Sequence, residues 1–319
     1  MNINTARKND NQIVTVAVIT YHSAVTVLET LDSVVNQSYG PENIELIISD
    51  DGSKDSTVKV IEEWLSEHGS RFYRVKFFAN EVNGGISKNC NIAWRAATSE
   101  WIKTIAGDDI LFEDCLSEMM PHICSLDMST AAAFSYVSMF GCKEGRLPKL
   151  NANILLGNSP RKQFMNLAIA NFLTAPSCFI RKSALVSVNY ADEAYTLIED
   201  YPLWLKLTSY GYKFSFLEKE LIGYRVGNSI SSARNKVINI DFEEQLLDSY
   251  IKYVKAEYGV HPLLRFLVLE KKILFRIKKL LAIYVFKNRP SVISSIVVKS
   301  IRLLGPSFYI RKLQSFTRF

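Results

Sequence analysis

The chain has 319 residues, 48% of them hydrophobic and 22% charged, with 38 Lys and Arg against 32 Asp and Glu for a formal net charge of +6. Such a composition builds a real core and excludes disorder as the main state. The charge is uneven: Pro262 to Phe319 holds 13 basic residues and one acid, Glu270, so this tail carries +12 and the rest −6, which excludes a uniformly basic nucleic-acid binder.

The first 110 residues alternate strand and helix signals. Ile13 to Ile19 is a β-branched run expected of a strand buried on both faces. Ser23 is placed to cap a helix with Val27, Leu28, Leu31, Val34 and Val35 on one face. A strand at Ile44 to Ser49 ends in Asp50-Asp51-Gly52-Ser53, and Asp55 or Ser56 caps the next helix. Arg74 to Phe78 and Trp101 to Ile105 read as strands, with a helix at Ser87 to Ala97 between them. This βαβαβαβ order predicts a mainly parallel sheet whose ligand site lies beyond the carboxyl ends of the strands, where both acidic turns fall.

Beyond Phe112 the pattern predicts a helix near 113 to 126, a strand near Ala131 to Ser138, and a loop from Gly141 to Pro160. A further helix and strand precede a helix from Glu199 to Tyr210, and helical patterning resumes after Gly227 to Asn235. Five cysteines without a C-x-x-C pair predict reduced thiols in a cytosolic setting and no structural zinc. The longest uncharged stretch, Gln163 to Ile180, is too polar for a spanning helix, and MNINTARKND lacks the apolar core of a signal peptide.

Three acidic pairs carry candidate chemistry. At a sheet edge, Asp50-Asp51 can accept hydrogen bonds from a ribose or a base, although alone it also reads as a solvated turn with a helix cap. Asp108-Asp109 can hold Mg²⁺ or Mn²⁺ completed by diphosphate oxygens and water. Glu199-Asp200 opens a helix, which suits dipole complementation or a general base on a rigid element. Glu62-Glu63 and Glu243-Glu244 read as solvated faces.

In this order the residues resemble the inverting family 2 glycosyltransferases of GT-A fold, over roughly residues 13 to 232. The marks are Ile19-Thr20-Tyr21, Gln37-Ser38, Asp50-Asp51-Gly52-Ser53, Asn83-x-Gly85-x-Ser87-Lys88-Asn89, Gly107-Asp108-Asp109, Glu199-Asp200 with Leu203-Trp204, and Gly223-Tyr224-Arg225. The resemblance implies donor contacts from Thr20, Tyr21, Asp50, Asp51, Asn83, Gly85, Lys88 and Asp108, a metal on Asp108 and Asp109, and Asp200 as base. Glu199, Trp204 and Arg225 fall on the acceptor side. Ala106 stands where many members carry the first Asp of Asp-x-Asp, His22 replaces the usual Asn, and Val226-Gly227-Asn228 lacks the histidine often found there.

At 100° per residue, Arg265, Lys271, Lys272, Arg276, Lys278 and Lys279 fall within an arc of roughly 160°, with apolar residues filling most of the rest, as in a helix lying on an anionic membrane. The expected organisation is a glycosyltransferase domain over 1 to 235, its nucleotide-sugar half ending near 110, and a helical membrane-associating region over 236 to 319. The expected partners are a nucleotide-diphospho-sugar, probed first as a UDP-sugar, and a saccharide acceptor linked to polyprenyl diphosphate at the inner face of the cytoplasmic membrane. A nucleotidyltransferase on the same sheet would need a Gly-rich, Lys-containing first loop, which is absent after Ile19; a non-catalytic sugar-nucleotide or membrane-scaffold protein would not need all four of Asp51, Asp108, Asp109 and Asp200.

Overall fold

A computed structural model describes residues 12–142, 144–146, 157–227, 236–257, 259 and 261–316. Its first half follows the alternating pattern: β1 (Val14–Thr20), α1 (Val27–Val35), β2 (Ile44–Asp50), α2 (Thr57–His68), β3 (Arg74–Ala79), α3 (Ile86–Ala96) and β4 (Trp101–Ala106). The strands β3, β2, β1 and β4 lie side by side and parallel. After β5 (Ile110–Leu111) come α4 (Cys115–Cys124), β6 (Thr130–Gly141), β7 (Gly145–Arg146), α5 (Pro160–Ile169), β8 (Phe179–Arg181), α6 (Lys182–Ser187), α7 (Asp200–Ser209) and β9 (Lys213–Val226). They extend the sheet in the order β4, β8, β6, β9, β5, with β7 on β6 and with antiparallel pairs at β4–β8, β6–β8 and β5–β9.

Strand alternation feeds two cores. Val14, Val16 and Val18 of β1 pack with Leu31 of α1, Ile61 of α2 and Met119 of α4 on one face. Ala17 and Ile19 point to the other, joining Trp94 of α3, Leu167 of α5 and Leu203 of α7. Each such fully buried aliphatic side chain is worth about 1.5–3 kcal/mol over an exposed one. Leu28, expected on the buried face of α1, is 43% exposed, because the stripe is carried by Val27, Leu31, Val34 and Val35. Ser23 does not cap α1 with its side chain; the N-cap is Thr26, and the Ser23 carbonyl closes the turn before it by accepting the amides of Thr26 and Val27 at 3.0 and 2.9 Å. At α2 it is Asp55 whose Oδ1 accepts the Thr57 amide at 3.1 Å. Gln37 ties two helices together: its Nε2 donates to the Phe112 carbonyl at 2.8 Å and its Oε1 accepts the Leu116 amide at 3.0 Å. The five cysteines are free thiols.

The C-terminal helices are α8 (Ile240–Ala256), α9 (Leu263–Leu280, continued by a π turn to Val285), α10 (Val292–Ser300) and α11 (Pro306–Phe316). They form a small cluster of their own around Ile238, Ala282 and Val298, but they also enter the main core. Tyr250, Val254, Leu264, Leu267 and Val268 are buried in the same cluster as α3, α5 and α7, so the division expected at 235 runs through shared packing. Glu243 is half-buried against Lys278 of α9, whereas Glu244 is exposed, as a solvated face requires, and pairs there with Lys279.

No single helix among the described residues is long and apolar enough to cross a membrane, although α10 with the turn after it and α11 pass such a test as a pair bent by 77°. The six cations expected on one membrane face divide. Arg265, Lys272 and Arg276 are exposed, whereas Lys278 and Lys279 are bound to α8 and Lys271 lies against the Tyr250 ring at 4.9 Å. The arc is wide enough to straddle the surface that α9 buries, and half of its charge is drawn inward. Beside the exposed cations lie Phe266, Leu269, Ile273 and Leu280, all more than 40% exposed.

Candidate active site

The acidic turns sit where parallel strands end. Thr20 closes β1 in register with Asp50 of β2, and Ala106 closes β4 beside Ile19. Asn89 on α3 stitches the strand ends, donating through Nδ2 to the carbonyls of Ser49 at 3.0 Å and Thr20 at 3.3 Å.

Asp50 is wholly buried and turned inward, accepting Thr20 Oγ1 at 2.9 Å, the Ser53 amide at 2.8 Å and Ser53 Oγ at 2.6 Å. Its work is to shape the turn. Asp51 faces the cavity, and its two oxygens accept the amides of Gly84 and Gly85 at 2.8 and 3.0 Å. Burial raises its pKa, those two amides oppose the rise, and the charge of Asp50 adds to it.

Asp108 and Asp109 follow β4. Burial pushes Asp109 up to about 7, helped by the charge of Asp108 and opposed by the Arg225 amide, which donates to its Oδ1 at 2.9 Å. Asp108 is raised by burial too, against the Arg225 charge. Arg225 holds this turn from β9: its Nε donates to the Asp108 carbonyl at 2.9 Å and its Nη2 to Glu29 at 2.5 Å, with the guanidinium over the Phe140 ring. Lys103, fully buried on β4, donates to the carbonyls of Thr104 and Pro176, and its charge favours ionised Asp109.

Glu199 and Asp200 begin α7 on a loop clamped from both sides. From α3, Ser87 Oγ donates to the Tyr195 carbonyl at 2.6 Å, the Ile86 amide to Thr196 at 2.9 Å and Asn91 Nδ2 to Ala191 at 2.9 Å. From α8, Gln245 Oε1 accepts the Leu197 amide at 2.9 Å and Asp248 accepts the Tyr195 hydroxyl at 2.9 Å. Burial raises both carboxyls, and for Glu199 the charge of Asp200 raises it again. Asp200 has the better anion environment, because the Tyr201 amide, its own amide and the Asn171 side chain all donate to it.

A cavity of about 1370 Å³ joins these elements. Thr20, Tyr21, Asp51, Asn83 and Gly85 line it, together with both carboxylate pairs, Asp108-Asp109 and Glu199-Asp200. Four expected site residues lie outside the lining. Asp50 and Arg225 hold the two acidic turns, Lys88 is exposed near Asp51, and Trp204 is packed in the core with its ring edge-on to Phe134 and Phe214. Asn171 and Lys103 gave no motif in the sequence; their only signal is a polar residue inside an apolar run.

Among the described residues no group of three or more His, Cys, Asp or Glu side chains converges on a metal position. Asp108 and Asp109 nevertheless fit a hard divalent cation: two adjacent carboxylates, one pushed up to about 7 by burial and by the charge of the other, with room for further oxygen ligands in the cavity.

The model of glycosyl transferase family 2 matches residues 15–188. The minor teichoic acid biosynthesis protein GgaB of Bacillus subtilis is 26% identical over 225 residues, which is 67% of this chain but 23% of GgaB. Among solved structures, residues 1–349 of TarS from S. aureus with UDP-GlcNAc superpose with a TM-score of 0.59 at 19% identity, covering 76% of this chain and 66% of that one. The mannosyltransferase PcManGT from Pyrobaculum calidifontis, in complex with GDP-Man and Mn²⁺, gives 0.55 at 15% identity, covering 95% and 84%. These likenesses carry the GT-A α/β fold, and with the family match over more than half of its length the chain belongs to glycosyl transferase family 2.

Proposed function

We propose that this glycosyltransferase moves a sugar from a nucleoside-diphospho-sugar to a hydroxyl of a saccharide acceptor by one inverting displacement, in the assembly of a surface polysaccharide. The observation that carries the proposal is the meeting of Asp51, Asp108-Asp109 and Glu199-Asp200 in one cavity. Donor complexes of TarS with UDP-GlcNAc and of PcManGT with GDP-Man support a nucleotide-sugar donor, and the likeness to a teichoic acid biosynthesis protein supports the polymer class.

Asp51 and the Gly84–Gly85 backbone it organises would receive the nucleoside, while Asp108 and Asp109 would hold Mg²⁺ or Mn²⁺. When bound, such an ion neutralises charge developing on the leaving diphosphate. Asp200 would take the acceptor proton. Its amide donors and the Asn171 side chain favour its ionised form against burial, whereas burial and the charge of Asp200 raise Glu199. The exposed apolar strip of α9, flanked by Arg265, Lys272 and Arg276, supports peripheral contact with an anionic membrane.

Asp200→Asn tests the base. Turnover is expected to fall by about 10²- to 10⁴-fold with nucleotide affinity retained, whereas Asp109→Ala loses metal-dependent nucleotide binding. Equal turnover by wild type and Asp200→Asn would refute the assignment.

A further inference from the structure

The cavity does not stop at the strand ends. A second set of lining residues comes from the C-terminal helices: Phe242 and Glu243 of α8, Lys271, Leu274 and Lys278 of α9, and Lys299 of α10, with Arg302 in the turn that follows. This part of the wall is basic. Lys278 is neutralised by Glu243, but among the described residues Lys271, Lys299 and Arg302 make no ion pair. Lys271 is half-buried; beside the Tyr250 ring its ammonium reaches the Ile169 carbonyl at a long 3.4 Å, and desolvation lowers its pKa, opposed by the charge of Glu270. Arg302 lies 5.6 Å from the Phe308 ring centroid and is otherwise open to the cavity. Cations that line a cavity without an ion pair are placed to receive an anionic ligand.

The donor's diphosphate belongs with Asp108 and Asp109, so a second anion-binding wall points to the other substrate. Resting on the glycosyltransferase reading above, we propose that the acceptor bears a phosphate group and that Lys271, Lys299 and Arg302 hold it. The surface outside these residues is apolar: Val292, Ile293 and Ile296 of α10 and Leu304 after it are each at least 60% exposed. A phosphate seated on the basic wall could therefore carry a hydrocarbon chain out over α10, with its saccharide end directed toward Asp200.

The test is calorimetric titration of the full chain with UDP and Mg²⁺ present in excess to occupy the donor site, using geranyl phosphate, geraniol and inorganic phosphate as probes. Binding of geranyl phosphate but not geraniol is expected, with about tenfold or greater weakening in Lys299→Gln/Arg302→Gln and retention in the charge-conserving Lys299→Arg/Arg302→Lys. Lys287→Gln, outside the cavity, controls for general loss of charge. Inorganic phosphate binding as tightly as geranyl phosphate would support the phosphate site but assign it to a water-soluble acceptor. Geranyl phosphate binding no better than geraniol, or equally to wild type and the Gln double variant, would overturn the proposal. A separate titration of the protein with UDP in the presence of Mg²⁺ reports on the donor site, so failure of the transferase reading is recognised by the loss of that binding.

Discussion

Asp51 holds the amide of Gly85 at 3.0 Å while its other oxygen holds Gly84 at 2.8 Å, so one carboxylate fixes the backbone of the segment that opens α3. Substitution by Asn would set an NH₂ group against one of those amides. Asp51→Asn is expected to lose about 1–3 kcal/mol of stability and to bind nucleotide at least tenfold more weakly. Urea unfolding and UDP titration measure the two effects.

Gly85 itself has φ +87°, and a Cβ there would lie 2.5 Å from the Thr196 side chain. Gly85→Ala therefore strains its own turn and pushes on the loop that carries Glu199 and Asp200. A stability loss of about 1–3 kcal/mol is expected from the backbone alone. Turnover should fall as well, although residue 85 is on a different element from the proposed base; steady-state kinetics would reveal this.

Glu45 provides the pH dependence. It is fully buried on β2, and burial alone would raise its pKa, but Thr15 Oγ1 at 2.7 Å, the Thr98 amide at 2.7 Å and Thr98 Oγ1 at 2.9 Å bring it below the ordinary value. A depressed folded pKa stabilises above the unfolded value and ceases to do so as pH falls through the folded one. Glu45→Gln should cost about 1.5–3 kcal/mol at pH 7, and the gap from wild type should narrow below about pH 4. Urea unfolding at the two pH values checks it.

The surface on α9 and α10 predicts flotation with anionic vesicles. Ile273 and Ile293 are 45% and 70% exposed, so Ile273→Glu/Ile293→Glu should leave the fold intact and reduce flotation severalfold at low salt. Unchanged flotation would count against membrane contact through these faces.

Glu270, the one acid of the basic tail, accepts the Ser307 amide at 3.1 Å and Ser307 Oγ at 2.7 Å, thereby capping α11 from a neighbouring helix. A Cβ on Gly305 would lie 2.2 Å from this carboxylate, so the chain bends tightly around it. Loss of a cap costs about 0.5–2 kcal/mol. Glu270→Ala should therefore speed amide exchange in the first turn of α11 by about 2- to 30-fold relative to α3.

Much of the first 110 residues was legible because β-branched strand runs, short turns and acidic strand ends coincide in contiguous sequence. The 14-residue β9 was not, since Glu218, Lys219 and Glu220 interrupt its apolar alternation; neighbouring strands supply the pairing that its pattern conceals. Trp204 shows the opposite failure. It stands in the right motif, yet the turn of α7 that displays Asp200 to the cavity sends the indole into the core. The sidedness of α9 was invisible for the same physical reason: a helical wheel gives the arc of the lysines, but Glu243, Glu244 and Tyr250 on α8 decide which of them turn inward.

The clamp of α3 and α8 on the loop before Asp200 gives the C-terminal region a role that charge alone conceals. The acidic body and the basic tail are not a catalyst and a detachable handle. The helices after residue 236 line part of the cavity that holds the acidic pairs, and α8 braces the loop before the residue proposed to accept the proton. A catalytic defect after their removal would therefore be no measure of lost membrane contact, and the two roles must be separated by point changes on opposite faces of the same helices.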